Sequence, residues 1–126
     1  MSILGLGFDA TDIPRVRDVF ERYGDRFLHR VFTAGEIAYC TRHRDPVPSL
    51  AARFAAKEAT MKALGVGWGS RAGWLDIEVS RAPGERPVLA LTGSAAATAA
   101  AIGIVRFHLA LTHTADVALA QVIAEG

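Results

Sequence analysis

The chain has a single cysteine, Cys40, in 126 residues. This excludes an intramolecular disulfide and a cysteine-cluster zinc site. Cys40 follows Ile37, Ala38 and Tyr39 in a predicted helix, a setting that reads as a buried, inert thiol. Neither sign of charge is in excess: 14 basic against 13 acidic residues leave a net charge of +1. Bulk electrostatics therefore recruits neither nucleic acid nor an anionic membrane, and any basic patch is local. No apolar run reaches the roughly 20 residues that span a bilayer. The opening MSILGLGF carries neither a positive leader nor a cleavage signal. The expectation is a cytoplasmic protein with no nucleic-acid and no membrane partner. Lysine is also scarce. Two of the 14 basic residues, Lys57 and Lys62, are lysine and the others are arginine. A chain that uses arginine elsewhere keeps lysine where a compact, rotatable ammonium is wanted instead of a planar fork.

Apolar residues, in contrast, are plentiful, 51% of the chain, enough for a folded core. At this length the chain buries about two thirds of its unfolded surface, and residues 1–126 are expected to form one domain. Both lysines fall in RFAAKEATMKALG, Arg53 to Gly65. Glu58 and Lys62 stand four apart on one helical face, Arg53 and Lys57 on a neighbouring one. Ala52, Ala56, Ala59 and Ala63 line a third, a stripe that lets the helix lie close to a sheet or another helix. Ser49 is the expected cap of this central helix, about 16 residues or roughly 24 Å long, and Gly65 its end.

Around it, Ser2 to Phe8 reads as a strand whose Gly5 and Gly7 permit close backbone approach, delivering Asp9 at its end. Asp12 and Pro14 open a helix running to Tyr23 that Gly24 stops. Thr33-Ala34-Gly35-Glu36 is a capping box for a helix to about Arg42, and Pro46 and Pro48 predict an extended connection. Trp74 to Ser80 and Val88 to Leu91 form one hairpin. A helix capped by Ser94 follows, and a second hairpin, Val105 to Leu111 with Val117 to Ile123, closes the chain with His113 in its turn. Strands in hairpins, not in helix-linked parallel units, define the class as α+β: an antiparallel sheet of hairpins on a long central helix.

Asp9 and Glu58 are hard oxygen donors from different elements with no histidine or cysteine cluster nearby. If they converge, magnesium is the fitting ion, since it binds one or two carboxylates, keeps several waters and completes its shell with phosphate oxygens. Lys62, one turn on, would then meet the remaining phosphate charge, a set suited to attack on a phosphoryl group. The residues alone also allow a surface ion pair between Glu58 and Lys62 in a small binding module, or a magnesium phosphohydrolase or nuclease.

Four segments narrow this choice: Gly5 to Arg15 (GLGFDATDIPR), Val31 to Ile37 (VFTAGEI), Arg53 to Gly65, and Leu111 to Thr114 (LTHT). In this order and spacing they resemble the holo-acyl-carrier-protein synthase family of phosphopantetheinyl transferases. The resemblance implies transfer of the 4′-phosphopantetheine arm of coenzyme A to a serine of apo acyl carrier protein, in fatty acid biosynthesis. It also implies magnesium and a homotrimer with sites between subunits. Carried onto this chain, it assigns Asp9 and Glu58 as metal ligands, and Glu58 also helps deprotonate the serine, directly or through a bound water. Lys62 faces the phosphates. Arg53, Gly65, Thr112 and His113 join it as coenzyme A contacts, and Arg15 meets the carrier protein. Arg42, His43 and Arg44 are candidates for the 3′-phosphate.

Overall fold

From the amino terminus the chain forms β1 (Ile3–Asp12), α1 (Ile13–Tyr23), α2 (Asp25–Val31), α3 (Ala34–Thr41) and α4 (Val47–Leu64). A 3-10 turn (Trp74–Asp76), β2 (Ile77–Ser80), β3 (Val88–Leu91), α5 (Gly93–Ile102), β4 (Arg106–His113) and β5 (Val117–Glu125) complete it. This computed structural model describes residues 1–126. The expected α+β class holds, with the hairpins divided between two antiparallel sheets, one of order β1-β5-β4 and one of β2 and β3.

Alanine sets the distance between helix and sheet. Ala55, Ala56, Ala59 and Ala63 of α4 are buried against Ala120, Val122 and Ala124 of β5 and Val79 of β2. On β1 even alanine would be too large. A Cβ added at Gly7 would lie 1.7 Å from the Ala59 carbonyl oxygen, and one at Gly5 2.0 Å from that of Ala63. The close approach read from these residues is thus met by backbone against backbone. Gly65, at φ 73, ends α4 in the left-handed conformation that favours glycine.

Several boundaries differ from expectation. β1 runs past Phe8 to Asp12 because its ladder to β5 continues as far as Asp12 opposite Val117. Asp9 therefore sits inside the strand, not at its end. Asp12 occupies the N-cap of α1 but makes no side-chain capping bond. α2, with buried Leu28 and Val31, has too short a pattern to stand out in the sequence. The Thr33–Glu36 capping box is present. Pro46 is helical, at φ −76 and ψ −15, so Pro46 and Pro48 lead directly into α4 instead of fixing an extended connection. Ser49 is not its cap. The Val47 amide donates to Asp45 Oδ1 at 3.2 Å, while Ser49 Oγ accepts from Arg53 Nη1 at 3.0 Å. Ser94 is likewise inside α5, donating to Asp76 Oδ2 at 2.6 Å. Trp74 to Asp76 turn as a 3-10 helix, and His113 is the last residue of β4 and not part of the turn.

Candidate active site

β1 alternates its side chains, so Gly5, Gly7 and Asp9 share the face that α4 covers. Asp9 reaches Lys62 there: Oδ1 is 3.1 Å from Nζ, and Oδ2 accepts a hydrogen bond from Thr11 Oγ1 at 2.9 Å. Lys62 also donates to the Phe8 carbonyl at 3.1 Å. Its partner is thus the strand carboxylate and not Glu58, and Glu58 forms no ion pair. With 53% of its side chain exposed against 15% for Asp9, Lys62 remains open to an incoming anion.

Glu58 is half-buried beside this pair. Burial pushes its carboxyl up from the ordinary 4.5, the nearby Asp9 charge pushes it further, and Lys62 opposes both. Asp9 and Glu58 line one cavity of about 540 Å³, walled by Thr11, Arg15, Phe27 and Phe54. Two carboxylates on one cavity fit a magnesium ion completed by water and phosphate oxygens. They do not fit an all-protein cage, since no group of three or more His, Cys, Asp or Glu side chains is placed to hold a metal.

The other expected contacts lie apart from this cavity. Arg53, Thr112 and His113 line a second one, of about 370 Å³, with Tyr39, Ser49 and Arg81. Arg53 is 4% exposed. Its guanidinium lies 4.1 Å above the Tyr39 ring centroid, and its Nε has no hydrogen-bond partner. A neighbouring cavity of about 430 Å³ holds Arg42, His43 and Arg81, and Arg44 is not among its lining residues. Gly65 opens a fourth, in the loop to Arg71. β1 and β4 are opposite edges of their sheet, so Asp9 and His113 are separated by the whole of β5.

The sequence reading missed Thr11, Phe27, Phe54 and Arg81. Thr11 carried a signal, since two residues along a strand return to the same face. Lys57 was grouped with Arg53 and is instead fully buried on Glu36, 2.7 Å from Nζ to Oε1. Burial pulls its ammonium below the ordinary range, against the Glu36 charge.

A family model, the 4′-phosphopantetheinyl transferase superfamily, matches residues 5–121, and the chain belongs to that family. Within it, a holo-[acyl-carrier-protein] synthase of Koribacter versatilis is 47% identical over 123 residues, 98% of each chain. The crystal structure of the Neisseria meningitidis holo-[acyl-carrier-protein] synthase superposes with a TM-score of 0.90 at 30% identity, covering 99% of this chain and 100% of that one. The Helicobacter pylori enzyme, solved in complex with coenzyme A, gives a TM-score of 0.84 at 32% identity over 95% of this chain and 99% of its own.

Proposed function

We propose that this chain transfers the 4′-phosphopantetheine arm of coenzyme A to a serine of apo acyl carrier protein, releasing adenosine 3′,5′-bisphosphate. The observation that carries this is the meeting of Asp9, Glu58 and Lys62, remote in sequence, at one cavity edge. Asp9 and Glu58 would hold magnesium, which when bound neutralises the diphosphate and keeps it in line for attack. Lys62 turns its exposed ammonium to the phosphates and stabilises the leaving group. A serine hydroxyl is a poor nucleophile at neutral pH and needs a base. Glu58, whose affinity for a proton is raised, takes it, directly or through a bound water. Arg15 sits in the wall of the same cavity, where its guanidinium can meet an acidic carrier protein.

The nucleotide end of coenzyme A is assigned to Arg53, Thr112 and His113, with Gly65 beside Lys62 and with Arg42 and His43 near the 3′-phosphate. Because Thr112 and His113 lie across the sheet from Asp9, a second copy supplying one half of each site is the arrangement that brings the two halves together. The sheet's outer face supports this homotrimer. Leu6 and Phe8 are 61% and 55% exposed there, and Thr112 shares that face. Apolar surface of this kind marks an interface. All three apolar cores include α4 residues, which supports one domain over 1–126. No helix is long and apolar enough to cross a membrane, and we place the protein in the cytoplasm, serving fatty acid biosynthesis.

The test is to follow coenzyme A in the presence of magnesium, with and without apo carrier protein. Transfer predicts consumption only when the acceptor is present. Consumption without it would identify a phosphohydrolase instead.

A further inference from the structure

Lys57 has no part in the chemistry above, yet it is enclosed and fully bonded. Besides Glu36 Oε1, its Nζ donates to the Trp74 carbonyl at 2.9 Å and to the Ile77 carbonyl. Glu36 is secured in turn, Oε2 accepting from the Val79 amide at 2.8 Å and Oε1 from that of Thr33 at 2.9 Å. Such a pair is a weak source of stability, since apolar side chains of similar volume often serve as well or better.

Two aromatic pairs lead away from the ammonium. Trp74, whose carbonyl it binds, stacks on Phe54 with ring centroids 5.1 Å apart and 28° between planes. Phe32, whose centroid is 5.8 Å from Nζ, meets Phe27 edge-on at 5.5 Å. Both pairs end on walls of the cavity that holds Asp9 and Glu58. Glu58 is also the next residue along α4.

We propose that Lys57 is a positioning residue for the transfer: clamped by Glu36, it holds Trp74 and Phe32 so that Phe54 and Phe27 fix the width of the cavity where the acceptor meets the carboxylates. This rests on the assignment of the reaction to Asp9 and Glu58. Lys57 touches neither substrate and acts only through the two aromatic pairs.

The test compares the full chain with Lys57→Met/Glu36→Gln, which removes both charges together. With magnesium, coenzyme A and apo carrier protein, kcat per folded molecule is expected to fall about ten-fold or more, as for a displaced reacting geometry. The KM for coenzyme A should stay within about two-fold, since its phosphates are met by Lys62 and not by these walls. A purely structural role would lower Tm and leave kcat per folded molecule unchanged, which would overturn the proposal. Trp74→Leu provides a second reading, because it keeps the ion pair and the backbone carbonyl, leaves an apolar side chain against the cores that Trp74 packs on, and takes away the ring stacked on Phe54. It should show the same loss of kcat. Unchanged kcat in Trp74→Leu overturns the role even if the double variant fails to fold. Full transfer by Asp9→Ala would instead move the reaction away from this cavity and remove the role with it, a result distinct from either.

Discussion

At the scale of single residues, Glu58 is where electrostatics makes the sharpest prediction. Its folded carboxyl binds a proton more tightly than the ordinary 4.5 because of burial and then Asp9. The folded state therefore holds more protons than the unfolded one between these two values, and stability falls as pH rises through that window. In metal-free buffer at neutral pH, Glu58→Gln should raise Tm, and the gain should vanish below the unfolded carboxylate range. A gain that persists in acid would mean that the carboxylate is not the source of strain. Asp9, Glu58 and Lys62 were legible because the residue types fit one reaction and the motifs fit one family. Their pairing was not. Spacing along α4 suggested Glu58 with Lys62, and the partner came from β1, 53 positions away. Lys57 with Glu36 was hidden for the same reason: Glu36 looked complete in its capping box, and nothing in the spacing along α4 directed Lys57 to α3.

Elements were read best where a local rule settles them. The Thr33–Glu36 box and Gly65 stand as expected. Ser49 did not cap because α4 already starts at Val47, leaving Ser49 inside it with Arg53 one turn on, and Ser94 did not because it found a tertiary partner, Asp76, that a helix start cannot reveal. α2 was invisible because seven residues hold too little periodicity. The contact between β1 and α4 was anticipated from glycine and alanine and leaves no room for a Cβ at Gly5 or Gly7. Gly7→Ala must push a Cβ into the Ala59 carbonyl, so a destabilisation of about 3 kcal/mol, the upper part of the overpacking range, is expected in denaturant unfolding. Displacing β1 also displaces Asp9, so transfer should fall with it. A variant of wild-type stability would contradict the close packing.

At the scale of the whole molecule, the reaction is proposed to need two copies of the chain, one giving Asp9, Glu58 and Lys62 and the next giving Arg53, Thr112 and His113. Asp9→Ala and Arg53→Ala should each be defective alone, and co-expression should restore part of the activity through mixed trimers with one intact site. No recovery in mixed trimers would place each site within a single chain. The fold class followed from the hairpin pattern, whereas the division into two sheets and the opposite-edge placement of the two half-sites depend on strand order, which no local pattern encodes. The central claim, that two carboxylates distant in sequence act together on coenzyme A, is tested most directly by mass spectrometry of an apo carrier protein incubated with coenzyme A, magnesium and the chain. The account predicts a mass gain of one phosphopantetheine with the parent protein and none with folded Asp9→Ala or Glu58→Ala; the same gain at the parent rate with both residues replaced would contradict it.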